Sequence, residues 1–106
     1  MPPDVITVYA TFADRAEAER VAEALVDERL AACANLLGPC RSFYRWEGTV
    51  ERADEVPALF KTTADAAPRL LARLAELHGY DVPAAVAWPA VDALAPYAAW
   101  VGESTR

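Results

Sequence analysis

The sequence predicts an α+β fold in the order βαββαβ, with a long central β-hairpin and a short C-terminal helix. A β-branched run precedes a helical pattern near the N-terminus, the central stretch alternates, and a second helical pattern precedes a last short strand. That order defines the split βαβ, ferredoxin-like arrangement. With 106 residues, the chain is long enough for one domain over 1–106 that folds without a metal or a disulfide.

The first strand and helix are predicted from residues 5–30. Residues 5–11 are β-branched and aromatic, and both faces are apolar enough for a central strand. Asp14, with Glu17 three positions later, resembles a capping box, so we expect a helix over about 14–30. Its apolar positions recur at helical spacing and are Ala18, Val21, Ala22, Leu25 and Val26.

The central stretch predicts a long β-hairpin. Its first arm alternates and places Tyr44 and Trp46 on the same side, a turn falls at 47–48, and the return strand covers 49–62. Gly and Pro at 38–39 mark a bend. Typical strands hold about five or six residues, so such long arms must project beyond a small core. Their edge and aromatic side chains then need a partner, which favours an oligomer.

The remaining residues predict a helix, a strand and a terminal helix. Asp65 starts the helix and Gly79 ends it. Its predicted buried positions are Ala67, Leu70, Leu71, Leu74 and Leu77. Residues 82–88 then alternate as a last strand, and Pro96 opens a short terminal helix.

Composition excludes several classes of protein. The net charge is −6 with only 10 Lys and Arg residues, so there is no basic stripe for nucleic acid. No apolar run reaches the roughly 20 residues of a membrane-spanning helix, and the N-terminus lacks a secretory pattern. In one extended strand, Cys33 and Cys40 would be about 23 Å apart, which is too far for a disulfide. We therefore expect both to be reduced thiols. We therefore predict a cytoplasmic protein.

Three segments together resemble the CutA divalent-cation tolerance family. They are residues 28–35 (ERLAACAN), 41–48 (RSFYRWEG) and 77–83 (LHGYDVP), with 61–63 (KTT) and 97–100 (YAAW) adding to the match. The resemblance covers almost the whole chain. It implies a ferredoxin-like homotrimer whose hairpins extend the sheets of neighbouring subunits. It also implies a role in divalent-cation tolerance, with copper binding discussed for some members, and brings no catalytic activity.

Cys33 and His78 are the candidate metal ligands. Cys33 lies in the Ala-Cys-x-Asn segment, and a thiolate suits soft copper and can act together with an imidazole. The alternatives are a buried small side chain for Cys33 and a cap or interface residue for His78. One histidine cannot complete a closed zinc site within the chain, so other subunits would have to contribute. Ala10 stands where some members of the family carry a second cysteine. Gly79 stands where members of the family usually carry a proline.

A cleft between subunits is the other candidate site. Its expected residues belong to, or lie near, the segments that carry the family resemblance, and they are Trp46, Glu47, Glu55, Lys61 and Tyr80. They would hold a small ligand or, on the plainer interpretation, pack and form ion pairs at an interface. The corresponding alternative function is a trimeric small-molecule sensor or partner-binding protein similar to the PII signalling proteins. No Gly-rich phosphate loop or GxSxG elbow is present, and a lone histidine would have to serve any catalytic scheme, so we expect no enzyme.

Overall fold

Eight elements follow one another in the computed structural model, which describes residues 3–106. They are β1 (Val5–Phe12), α1 (Arg15–Asp27), β2 (Cys33–Leu36), β3 (Cys40–Trp46), β4 (Thr49–Thr63), α2 (Ala67–Leu77), β5 (Ala85–Pro89) and α3 (Ala95–Ser104). The predicted second strand is divided into β2 and β3 at Gly38 and Pro39, where the sequence predicted a bend. The predicted order of elements is confirmed.

The strands form an antiparallel sheet in the order β2-β4-β1-β5. β4 lies between β1 and β2, so the first βαβ unit is split by a strand from the hairpin. β3 pairs with the first half of β4, with Cys40 opposite Glu55 and Trp46 opposite Thr49. This topology confirms the α+β, ferredoxin-like fold class, and β1 is a central strand as predicted.

Helix α1 begins as predicted and ends three residues early. Asp14 Oδ1 accepts a hydrogen bond of 2.8 Å from the Glu17 amide and caps the helix. After Asp27 the chain reaches Arg29, whose φ of 61° is in the left-handed region and stops the helix. Of the apolar positions at helical spacing, Val26 lies at the edge of the buried side of α1 and is 39% exposed.

The core fills the side of the sheet that α1 and α2 cover. Alternate residues of β1 and β4 meet these helices, and Phe12 packs edge-on against Phe60 with 6.5 Å between ring centroids. The largest fully buried side chains of this core are Phe12, Phe60, Leu25, Leu70, Leu74, Val8 and Val21. We call this side of the sheet the covered face.

The opposite side of the sheet, the open face, carries α3 at one end. There Ala98 and Val101 pack on Val5. Residues directly opposite in adjacent strands share a face, and pairing places Trp88 beside Thr7, Thr7 beside Lys61, and Lys61 beside Cys33. Large apolar side chains on this face remain exposed in the subunit, including Trp88 and Val86, the latter 53% exposed.

Helix α2 and strand β5 are shorter than predicted. α2 begins at Ala67 rather than Asp65, and Leu71 and Leu77 are only partly buried. β5 begins at Ala85, so the prediction of a strand from residue 82 is wrong. Pro83 has no amide hydrogen to give to a ladder, and Val82 is 67% exposed. No helix within residues 3–106 is long and apolar enough to cross a membrane.

Candidate functional site

A cleft of 710 Å³ runs along the hairpin, between the β3–β4 pair and the loop that follows α2. Alternation puts one set of hairpin side chains on the same side as the open face. Glu51 lies directly opposite Tyr44 in the ladder. The charged and aromatic lining residues are Tyr44, Arg45, Trp46, Glu51, Glu55, Tyr80 and Asp81. We call this space the hairpin cleft.

Tyr80 and Glu55 connect the two walls of the hairpin cleft. The Tyr80 hydroxyl donates a hydrogen bond of 2.9 Å to Glu55 Oε2. Burial, with help from the Glu55 carboxylate, raises the pKa of Tyr80 to about 12. Tyr80 therefore keeps its proton at neutral pH and remains a donor to Glu55, which is itself only 8% exposed.

His78 is buried behind this loop and both of its ring nitrogens are hydrogen-bonded. Nε2 lies 2.7 Å from the Thr11 carbonyl oxygen, and Nδ1 accepts a bond of 3.1 Å from the Tyr80 amide. An accepting Nδ1 places the ring proton on Nε2. The ring stacks on Phe12 at 4.7 Å between centroids. A metal ion could reach His78 only by displacing one of these bonds.

Glu17 fixes the same loop from the start of α1. Its Oε2 accepts a hydrogen bond of 2.8 Å from the Gly79 amide, and its Oε1 accepts one of 3.2 Å from the Ala13 amide. A Cβ atom at position 79 would lie 2.5 Å from Glu17 Oε2. A residue at this position must therefore donate its amide hydrogen and leave room for the Glu17 carboxylate, and Gly79 does both.

Cys33 lies on the open face, away from the hairpin cleft. Its Sγ is 3.4 Å from the Tyr97 hydroxyl, and burial together with this contact raises the pKa of Tyr97 to about 12. Lys61, which lies opposite Cys33 on β4, donates a hydrogen bond of 2.9 Å to Asn35 Oδ1. Cys33 and Cys40 are both free thiols.

The structure does not bring the two predicted metal ligands together. Cys33 is in register with Lys61 and Thr7, whereas His78 contacts Thr11. Four residues along β1 correspond to about 13 Å, before the width of the intervening strands is added. Within residues 3–106 no group of three or more His, Cys, Asp and Glu side chains is placed to hold a metal ion.

Of the five predicted cleft residues, the structure brings Trp46, Glu55 and Tyr80 together in the hairpin cleft. Glu47 lies in the turn at the hairpin tip with a φ of 49°. Lys61 follows Glu55 by six residues on β4, about 20 Å along the strand, and faces Cys33 instead.

Among the charged and aromatic lining residues, sequence reasoning missed Tyr44, Arg45, Glu51 and Asp81. The alternation of β3 already placed Tyr44 on the side of Trp46, and the hairpin register then sets Glu51 opposite Tyr44. Those two could have been found from the sequence. Asp81 lies in an irregular loop, where no periodic signal indicates the direction of a side chain.

The family model described as "CutA1 divalent ion tolerance protein" matches residues 6–104. The chain belongs to the CutA1 divalent ion tolerance family. The match spans the hairpin, the loop that carries His78 and helix α3, so every candidate residue lies within the CutA1 region. The resemblance seen in the sequence is confirmed.

Individual CutA1 relatives agree with this assignment. The Divalent-cation tolerance protein CutA of Pyrococcus horikoshii is 45% identical over 96% of this chain and 99% of its own length. The protein of that name from Thermus thermophilus is 42% identical over 92% of this chain and 95% of its own length. These names describe a tolerance function rather than a reaction, and they do not favour the PII-like alternative.

Solved CutA1 structures also have this fold. The structure of the Thermus thermophilus protein superimposes with a TM-score of 0.93 at 40% identity, over 96% of this chain and 99% of that one. CutA from Xylella fastidiosa gives 0.94 at 36% identity, over 97% and 99%. The arrangement of helices and strands described above is therefore that of the CutA1 family.

Proposed function

We propose that this chain serves divalent-cation tolerance as a homotrimeric binding protein without catalytic activity. The observation that carries the proposal is the open face, where Val86 and Trp88 are exposed in the subunit. Monomeric proteins rarely expose a contiguous apolar surface of this kind. A closed ring of identical subunits buries such a face in every copy.

The shape of the subunit supports the same proposal. Its extents are 47 × 26 × 23 Å, because the distal part of the β3–β4 hairpin extends beyond the rest of the sheet. The exposed Phe43 and Val50 lie on this projecting part. A neighbouring subunit would cover these side chains and pair with the exposed strand edges, which otherwise invite uncontrolled association.

Cys33 is the metal contact in this proposal. It provides a soft sulfur donor on the open face, where copies of the chain would meet, and sulfur suits copper in particular. The side chains of one subunit do not form a metal site by themselves within residues 3–106, so neighbouring subunits would supply further donors. His78 instead holds the Tyr80 loop, because both of its ring nitrogens are already hydrogen-bonded.

The test is a titration of the reduced, chelator-treated protein with copper(I), and separately with zinc, against a competing chelator. Cys33→Ser is compared with Cys40→Ser, which removes the other free thiol. We expect saturable binding that Cys33→Ser abolishes and Cys40→Ser retains, on an assembly with the mass of three subunits. Weak binding that ignores Cys33→Ser would overturn the metal contact. A mass of one subunit would overturn the trimer.

We also propose a cytoplasmic location. Both cysteines are free in the structure, as thiols are in reducing compartments. Cell fractionation with an antibody to the native chain tests this, and recovery with periplasmic or membrane markers would contradict it.

A further inference from the structure

The β3–β4 hairpin joins the main sheet through one continuous strand, β4, and a bend at 37–39. β4 pairs with β1 only as far as Val56, and from Glu55 outward its partner is β3. Within residues 3–106, β3 in turn pairs with β4 alone. We call residues 40–55 the distal hairpin. Two-stranded ribbons vary more in twist than wider sheets do, so strand pairing alone does not fix the direction in which the distal hairpin points.

The bend at 37–39 ties the distal hairpin only loosely to the main sheet. The Leu37 amide donates a hydrogen bond of 2.9 Å to the Pro57 carbonyl oxygen. Pro57 has no amide hydrogen to donate in return, and the Leu37 carbonyl oxygen accepts one of 2.9 Å from the exposed Arg15 side chain instead. A Cβ atom at Gly38 would have no packing neighbour within 4 Å. The bend and the adjoining part of β4 thus have the character of a hinge, which a few residues at the ends of elements usually form.

One side-chain hydrogen bond connects the distal hairpin to the rest of the subunit. Of the side-chain hydrogen bonds that the distal hairpin makes within residues 3–106, only that from Tyr80 to Glu55 comes from outside it. Its length is 2.9 Å, and Glu55 is the residue at which the distal hairpin begins. Hydrogen bonds to carboxylates are roughly twice as strong as neutral ones. This bond therefore acts at the hinge, where a small rotation gives a large displacement of the hairpin tip.

The other end of this bond is held firmly by the core. The Tyr80 ring lies 4.8 Å from the His78 ring between centroids, and the Tyr80 amide donates to His78 Nδ1. His78 stacks on Phe12, which lies opposite the last residue of β4 that pairs with β1. Glu17 holds the preceding amide, that of Gly79, at 2.8 Å. Tyr80 thus reaches the distal hairpin from a loop whose own position is fixed.

We propose that the distal hairpin turns about the bend at 37–39 and the adjoining part of β4, and that the Tyr80–Glu55 hydrogen bond is a latch that holds it in one direction. Glu17 sets this latch from the start of α1, because it fixes the loop that carries Tyr80. The latch needs only one chain, and only its effect on assembly rests on the trimer proposed above. A latched hairpin is preorganised to meet a neighbour, since it loses less conformational entropy on association.

A matched pair of variants tests the latch. Tyr80→Phe removes the latch hydroxyl, whereas Tyr44→Phe removes the hydroxyl of an exposed tyrosine on the distal hairpin. ¹⁵N relaxation dispersion on the full-length protein in its native assembly measures the population of a second hairpin direction. We expect this population to rise at least about tenfold in Tyr80→Phe and not in Tyr44→Phe, as loss of a hydrogen bond to a carboxylate should give. The amides of β1 should show no dispersion. Equal dispersion in the two variants, or none in the distal hairpin of Tyr80→Phe, would overturn the latch.

A second pair tests whether Glu17 acts through the latch. Glu17→Gln replaces one accepting oxygen with an amide group, so one of its two backbone hydrogen bonds is lost. We expect the second hairpin direction to gain population by about three- to tenfold, with no change for Glu19→Gln on the exposed side of α1. Added to Tyr80→Phe, the Glu17→Gln change should have no further effect, because the latch is already open. Additive effects of the two changes would overturn this role of Glu17.

Sedimentation tests the effect of the latch on assembly. The dissociation constant of the Tyr80→Phe assembly should rise at least about tenfold relative to wild type and to Tyr44→Phe, because association must then order the distal hairpin. An unchanged dissociation constant would overturn the role of the latch in assembly. A wild-type mass of one subunit would overturn the trimer, and the relaxation measurements would still decide for or against the latch.

Discussion

The two faces of one sheet differ in what they need from their surroundings. On the covered face, Val8 and Phe60 are fully buried by helices of the same chain. On the open face, Val86 and Trp88 come from a strand of the same sheet yet remain exposed. Because successive residues of a strand point to opposite sides, each strand carries one set of positions that fixes the fold and another that is available for assembly and binding.

The largest expected effect comes from emptying the covered face. Phe60→Ala should lower the free energy of unfolding by about 3–5 kcal/mol, because it leaves a cavity in a close-packed core. Denaturant unfolding followed by circular dichroism measures this. The control is Glu19→Ala, on the exposed side of α1, with an expected loss below about 1 kcal/mol. Similar losses in both variants would remove the distinction between the two regions.

A change on the open face should break assembly and leave the subunit folded. Val86→Lys puts a charge on the proposed interface, where it should cost about 2 kcal/mol or more per contact. Sedimentation should then detect a mass of one subunit at micromolar concentration, with an unchanged circular dichroism spectrum. Glu23→Lys, on the exposed side of α1, should keep the native mass. An intact assembly in Val86→Lys would show that subunits meet elsewhere.

The smallest effect concerns pH and the hairpin cleft. The pKa of Tyr80 is raised from 10.0 to about 12 in the folded protein. The folded state therefore holds this proton more tightly, and its stabilising contribution is complete below about pH 10 and lost as the pH rises through about 12. Tyr80→Phe should show a shallower fall of melting temperature over this range. Parallel curves for wild type and Tyr80→Phe would contradict the assigned shift.

Periodicity predicted the order of elements, because burial on one side imposes it directly. The residues at which helices and strands begin and end depend on single side chains, and hydrophobic periodicity does not reveal them. Arg29 ends α1 because its guanidinium donates to the carbonyl oxygens of Glu103 and Arg106, which holds the left-handed backbone in place. Pro83 delays β5 because it cannot donate to the ladder.

The candidate sites were less predictable than the fold. Alternation alone places Trp46 on the same side of the hairpin as Tyr44, whereas Glu55 and Tyr80 were selected through the family resemblance. Lys61 was selected in the same way and faces Cys33 instead. The hydrogen bond from the Gly79 amide to Glu17 joins residues 62 positions apart in the sequence, and no local pattern encodes a pairing that depends on the packed positions of two helices.

The loop behind the hairpin cleft is fixed before any molecule enters. The amides of Gly79 and Tyr80 donate to Glu17 and His78, so two successive peptide groups are immobilised by side chains anchored in the core. Ordering a flexible backbone costs about 1–2 kcal/mol per residue. A ligand that binds in the cleft would therefore not lose binding free energy to ordering the backbone of this loop. The chain is thus preorganised for binding, and even a small guest could bind with little conformational adjustment.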